Sequence, residues 1–180
     1  KRFNIMVPRL ENLFFNSLTK KTLKWSNYFD IYHKHFDKFV NKKINLLEIG
    51  IAYGGSLELW HNYFGNDCSI HAIDINSDVM TLNYDFDVDI VLGDQKDPAF
   101  WMEYLSRHPK FDVVIDDGGH TMEEQLTTLI NVFPHLNEGG VLMIEDTHTS
   151  YWRDWGGGLN NPNTFIEKSK TLIEFLHRQH

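Results

Sequence analysis

The stretch Ile44-Asn-Leu-Leu-Glu-Ile-Gly50-Ile-Ala-Tyr-Gly54-Gly-Ser56 decides the fold. Six strand-favouring residues run into a glycine turn, and Leu57, Trp60, Tyr63 and Phe64 then recur at helical spacing over Ser56 to Phe64. Strand, tight turn and helix in direct succession are the opening of a βαβ unit. Further along, Ser69 to Ile73, Val88 to Leu92, Phe111 to Ile115 and Val141 to Ile144 are short apolar runs, mostly followed by Gly or Asp, and read as four more strands. Thr121 to Leu136 carries Met122, Leu126, Leu129, Ile130, Phe133 and Leu136 at helical spacing. Glu138-Gly139-Gly140 reads as a turn into the fifth strand, Arg153 to Asn163 as a loop, and Thr164 to His177 as a final helix. This alternation predicts an α/β architecture: a doubly wound, mainly parallel sheet with helices on both faces.

The rest of the chain fits one compact unit. Its 180 residues, 42% hydrophobic and 14% aromatic, suffice for a buried core. Residues 1–43 are aromatic-rich and helical in tendency, and are expected to cap the sheet edge or the active site, with residues 44–180 forming the ligand-binding domain. Seventeen Lys and Arg against 25 Asp and Glu give a net charge of −8, which disfavours nucleic acid and anionic membranes as partners. The single cysteine, Cys68, excludes an internal disulfide framework. No apolar run is long enough to cross a bilayer, and Lys1-Arg2-Phe3-Asn4 leads into no signal-peptide core, so a cytoplasmic protein is expected. The chain begins without Met, which leaves room for additional domains in the same polypeptide.

Three strand ends carry candidate ligand contacts. Glycines after the first strand let the backbone turn sharply and approach a ligand. Gly50, Gly54 and Gly55 do not match the G-x-G-x-x-G spacing of a dinucleotide fingerprint. Asp74, at the tip of the second strand, can accept hydrogen bonds from a ribose, and Gly93-Asp94-Gln95 after the third suits an adenine amino group. Glu48-x-Gly50-x-x-x-Gly54 with Asp74 and Gly93-Asp94 resembles the class I S-adenosylmethionine-dependent methyltransferases, over most of the chain from Ile44 onward. The resemblance implies their Rossmann-like fold. It also implies a cofactor site in which Glu48, Gly50, Tyr53, Gly54 and Ser56 serve the methionine end, Asp74 the ribose, and Asp94 and Gln95 the adenine. Members of that class usually finish with an antiparallel hairpin, and no such pair is visible after Ile144.

A second constellation follows the fourth and fifth strands, in Asp116-Asp117-Gly118-Gly119-His120 and Glu145-Asp146-Thr147-His148. Neighbouring side chains on extended backbone face opposite ways, so Asp116 is assigned to the cofactor side and Asp117 to a site shared with Glu145 and Asp146. Three gathered carboxylates either raise one another's pKa or demand a cation; a divalent ion is the expectation here, and all-oxygen ligands favour Mg²⁺. Alternatively, Asp116 and Asp117 cap the helix starting near Thr121. The strings resemble metal-dependent O-methyltransferases, and more narrowly the macrolide-sugar O-methyltransferase group. That resemblance implies Mg²⁺, His120 as the base, and a hydroxyl of a sugar or glycan as acceptor; two vicinal hydroxyls chelating the ion would fix the attacking oxygen. His148 is a candidate substrate contact or an ordinary loop residue, and Tyr151, Trp152 and Trp155 either stack on a sugar face or pack in the core or a lid. Two rival readings are a nucleotide-binding oxidoreductase, against which the glycine spacing speaks, and a non-catalytic domain of a larger protein.

Overall fold

The computed structural model describes residues 9–178, so the first eight residues of the expected cap and the last two of the chain lie outside it. Five strands, β1 (Ile44–Ile49), β2 (Cys68–Asp74), β3 (Val88–Leu92), β4 (Phe111–Asp116) and β5 (Leu136–Ile144), pair in the order β3-β2-β1-β4-β5. Every pairing is parallel. The order reverses between β1 and β4, which is where an open α/β sheet leaves a crevice beyond its strand ends.

Both faces of the sheet are covered, which explains why the strands read as nearly continuous apolar runs. Leu46, Ile70, Ala72, Val113 and Ile115 pack on one side with Leu57, Trp60 and Phe64 of α3 (Gly55–Phe64). Leu47, Ile49, Ile73 and Val114 pack on the other with Trp101, Tyr104 and Val132, from α4 (Pro98–Arg107) and α5 (Met122–Val132). The N-terminal segment joins the first of these cores. Leu10 of α1 (Leu10–Asn16) and Phe29, Tyr32 and Phe36 of α2 (Tyr28–Phe36) are buried there, and the Tyr32 ring meets Trp60 edge-on with centroids 5.2 Å apart. Between α1 and α2, residues 17–27 run as a strap over the start of α3.

Three elements differ from the sequence reading. Helix α4 was not anticipated, although Asp97 accepts a hydrogen bond from the Ala99 amide and Pro98 occupies the first turn. The helix expected over Thr121 to Leu136 stops at Val132, where Pro134 gives way to a 3-10 turn. The expected Glu138-Gly139-Gly140 turn lies inside β5 as a bulge: pairing jumps from Phe111 with Leu136 to Val113 with Val141, with Gly139 at φ +75°. Among the described residues no strand follows β5; 3-10 turns lead instead to α6 (Phe165–His177). No described helix is long and apolar enough to cross a membrane.

Candidate active site

The glycine turn forms the floor of the crevice. Gly50 donates its amide to the Ile73 carbonyl, and the amide of Asp117 bonds the Ile49 carbonyl. Gly50 sits at φ +89°, and a Cβ there would come within 2.2 Å of the Asp117 carbonyl oxygen, so only glycine lets β1 and β4 close at this point. Asp74 Oδ2 accepts the amides of Ile51 and Ala52, and Oδ1 accepts that of Asn76. This carboxylate therefore holds the glycine turn in shape while facing a cavity of about 290 Å³. Gly50, Asp74, Asp94, Gln95, Asp117 and Gly119 are among its walls.

Other residues assigned to the cofactor stand elsewhere. Glu48 is fully buried behind the turn, accepting from the Ser56 hydroxyl at 2.8 Å and the Trp60 indole at 2.9 Å, and burial lifts its pKa to about 7. Glu48 and Ser56 thus brace the turn from inside rather than line the cavity. Gly54 precedes α3 at φ +85° and accepts from the Tyr84 hydroxyl, while Tyr53 is exposed on a separate hollow beside Lys20 and Leu23. Asp116 does not face the cavity. It is buried, accepts from Gln95 and the Gly118 amide, and is pushed up to about 7 by burial. Gln95 donates to both Asp116 and Thr128 and accepts from Gly119, so its amide hydrogens are committed, while Asp94 lines the cavity with Oδ1 accepting from the Lys96 amide. Helix α5 is capped by Thr121 and Glu124, not by Asp116 or Asp117.

Beside the cavity the second constellation divides. Asp117, His120 and Asp146 each present a ligand-type atom within 4.8 Å of the others, and His120 Nε2 lies 3.6 Å from both Asp117 Oδ1 and Asp146 Oδ2. Two of the three hold unusual backbone: His120 at φ +59° and Asp146 at φ +52°, a conformation that costs a non-glycine residue about 1 kcal/mol or more and concentrates at functional sites. Glu145, expected in the same cluster, is not in it. It is buried and turned inward, accepting from the Tyr32 hydroxyl at 2.6 Å and from Lys24 Nζ at 2.8 Å. Lys24 also reaches Asp117 Oδ2 at 2.6 Å, and its side chain is wholly enclosed. Burial by itself would favour the neutral amine, yet Glu145, Asp117 and Glu48 together hold Lys24 above its ordinary pKa. Part of the cation requirement of the clustered acids is therefore met by a lysine from the strap, which sequence reading did not find.

The far side of this cluster opens into a shallow aromatic groove of about 330 Å³ lined by Trp25, Asn27, Tyr28, His148 and Trp152. The Trp25 indole and Tyr28 hydroxyl both donate to Asp146 Oδ1, at 3.0 and 2.9 Å. His148 meets Trp152 edge-on at 4.7 Å, and Trp152 meets Trp155 at 5.3 Å. Of the residues expected to contact an acceptor, His148 and Trp152 line the groove; Tyr151 is half exposed and does not. Trp25 and Tyr28 were not singled out from the sequence, where residues 1–43 were expected to cap either the sheet edge or the active site.

Residues 47–147, more than half the chain, match a family described as a methyltransferase domain. The chain belongs to this methyltransferase family. The methyltransferase domain is 34% identical to demethylmacrocin O-methyltransferase of Streptomyces fradiae, over 91% of this chain and 45% of that protein. It is 33% identical to mycinamicin VI 2''-O-methyltransferase of Micromonospora griseorubida, over 82% of this chain and 39% of that one. The solved structure of the MycE methyltransferase from the mycinamycin biosynthetic pathway, in complex with Mg and SAH, matches with a TM-score of 0.83 at 30% identity, covering 96% of this chain and 46% of that chain. The five-strand parallel sheet is thus that of the class I methyltransferases. The chain spans less than half the length of these relatives.

Proposed function

We propose that this methyltransferase domain binds S-adenosylmethionine in the crevice and, with Mg²⁺, directs its methyl group to a hydroxyl of a sugar or glycan acceptor. The observation that carries this reading is the position of Asp117, which lines the cavity at the glycine turn and also belongs to the cluster with His120 and Asp146. The sulfonium donor supplies an electrophilic methyl group, so the protein has to align the acceptor and take a proton. Asp74 keeps one lone-pair site for a ribose hydroxyl, and Gly50, Gly118 and Gly119 line the cavity with backbone.

The residues fit a hard divalent ion. Asp117 and Asp146 offer carboxylate oxygens within reach of one another, and Mg²⁺ characteristically takes one or two carboxylates and leaves its remaining positions to water or substrate. When bound, the ion would lower the pKa of a hydroxyl beside it. His120 stands next to both carboxylates and would accept the hydroxyl proton as the oxygen bonds to the methyl carbon and the carbon–sulfur bond breaks, releasing S-adenosylhomocysteine. The aromatic groove on the other side of Asp146 suits the apolar face of a sugar ring, with Trp152 and His148 as walls.

This reading treats residues 1–43 as a helical cap on the cofactor-binding unit 44–180, within a polypeptide that carries additional domains; the greater length of the relatives supports the latter. It places the protein in the cytoplasm, a setting in keeping with the buried Cys68 thiol, which burial pushes up to about 12. The test is methyl transfer to glycosylated small molecules and sugar nucleotides with labelled cofactor. A product heavier by one methylene is expected, abolished by EDTA and restored by Mg²⁺. Full turnover in chelator would remove the metal from the proposal, and failure to bind S-adenosylmethionine would remove the proposal itself.

A further inference from the structure

A second set of metal-type side chains lies away from the crevice. His71 on β2 and Asp89 on the edge strand β3 are register partners, and His108 follows the end of α4. His71 Nδ1 lies 3.2 Å, and His108 Nε2 3.1 Å, from the same oxygen, Asp89 Oδ2, with all three ligand atoms within 4.8 Å. Four-coordinate zinc with bonds of about 2.0–2.1 Å sets neighbouring donors about 3.3 Å apart, and the two separations to Asp89 Oδ2 are compatible with that spacing.

The hydrogen on His108 makes the case sharper. Its Nδ1 is 2.6 Å from the Tyr104 carbonyl oxygen, which can only accept, so Nδ1 carries the proton. In the neutral ring, Nε2 is then a bare lone pair facing a carboxylate oxygen. A lone pair and a carboxylate oxygen at that distance call for either a second ring proton or a metal ion between them. An imidazole whose second nitrogen donates to a backbone carbonyl is also the arrangement that orients metal-ligating histidines. Tyr104 stacks on the His108 ring at 3.8 Å, and Phe111 packs edge-on to His71, so neither ring is free to swing away. Asp89 is half exposed, leaving a side open for water as the fourth ligand.

We propose that His71, Asp89 and His108 form a site for a borderline divalent ion of the zinc class, independent of methyl transfer, that pins edge strand β3 to β2 and to the exit of α4. Imidazole donors select such an ion over Mg²⁺, which prefers an all-oxygen shell. The probe is Co²⁺ added to the chelator-stripped chain in millimolar Mg²⁺, followed by visible absorption, with Zn²⁺ as competitor. The expected result is the absorption of four-coordinate Co²⁺ at one equivalent, displaced by Zn²⁺, and a higher melting temperature with Zn²⁺ bound. Loss of an orienting partner alone costs 10- to 100-fold in affinity, so Asp89→Asn and His108→Ala should each weaken binding by about 100-fold or more, while Asp117→Asn leaves it unchanged. If His108→Ala fails to fold, the half-exposed Asp89→Asn decides. The proposal is overturned if the wild-type chain gives no such absorption, which would mean that a proton fills the gap. It is equally overturned if the absorption survives Asp89→Asn or vanishes with Asp117→Asn.

Discussion

The two sides of the crevice are built differently. On the β1–β3 side, Gly50, Asp74 and Asp94 are held by their own neighbours: Asp74 grips the amides of Ile51, Ala52 and Asn76, and Asp94 accepts from the Lys96 amide. On the β4–β5 side, Asp117, Glu145 and Asp146 are held by Lys24, Trp25, Tyr28 and Tyr32, more than 90 positions away in the chain. The first side is a property of local turns. The second is held by contacts from the strap and α2, so its arrangement depends on how the N-terminal segment docks.

The largest expected effect separates the two sides by function. His120→Ala should lower methyl transfer by about 10²- to 10⁴-fold, the usual contribution of a general base, while cofactor affinity measured by calorimetry stays within a factor of about 2. A parallel fall in cofactor affinity would show that the two sides are not separable. The next effect separates them by stability. Lys24→Met leaves the buried Glu145, and the partly exposed Asp117, without their cation, and breaking the buried Lys24–Glu145 pair costs about 3–5 kcal/mol in urea denaturation. Adding Glu145→Gln to Lys24→Met should recover part of that loss, because one uncompensated charge is gone. A loss below about 1 kcal/mol for Lys24→Met would mean that the cluster stands without the strap.

This difference also explains what could be read from the sequence. Strand ends such as Glu48-Ile-Gly50 and Ile73-Asp74 announce themselves because glycine, acid and apolar run are adjacent, and the sheet and its crevice followed from them. Asp117, His120 and Asp146 were legible as chemistry-bearing residues, and the structure brings these three together. Where the structure and the sequence reading differ, the difference is one of direction and distance. Alternation along extended backbone assigned Asp116 to the cofactor, but after β4 the chain turns, and Asp116 stays in the core bonded to Gln95. Glu145 was counted as a ligand because nothing in Lys24-Trp25-Ser-Asn-Tyr28 signals that a lysine will be enclosed beside it; that pairing is a tertiary fact. Helix α4 was missed despite Asp97-Pro98, a cap and first-turn pair that did carry a local signal.

The smallest effect concerns the other fastening of the strap. Glu58 on α3 accepts the Thr19 and Lys20 amides at 2.7 and 3.0 Å, the Thr19 hydroxyl, and the Lys20 ammonium at 2.7 Å. Burial would raise its pKa, but these donors prevail and hold it at about 2, below the ordinary value of 4.5. A carboxyl depressed in the folded state stabilises the fold at every pH above its unfolded value and loses that contribution as pH falls toward the folded value. Glu58→Gln should therefore cost about 1 kcal/mol at pH 7, since the amide keeps the shape but not the charge-assisted bonds, and this fastening is partly open to solvent. The gap between variant and wild type should narrow below pH 4.5 and close near pH 2. Melting temperatures across that range are the measurement. A gap that stays constant with pH would assign the contribution of Glu58 to packing, and would leave Lys24 as the electrostatic anchor of the strap.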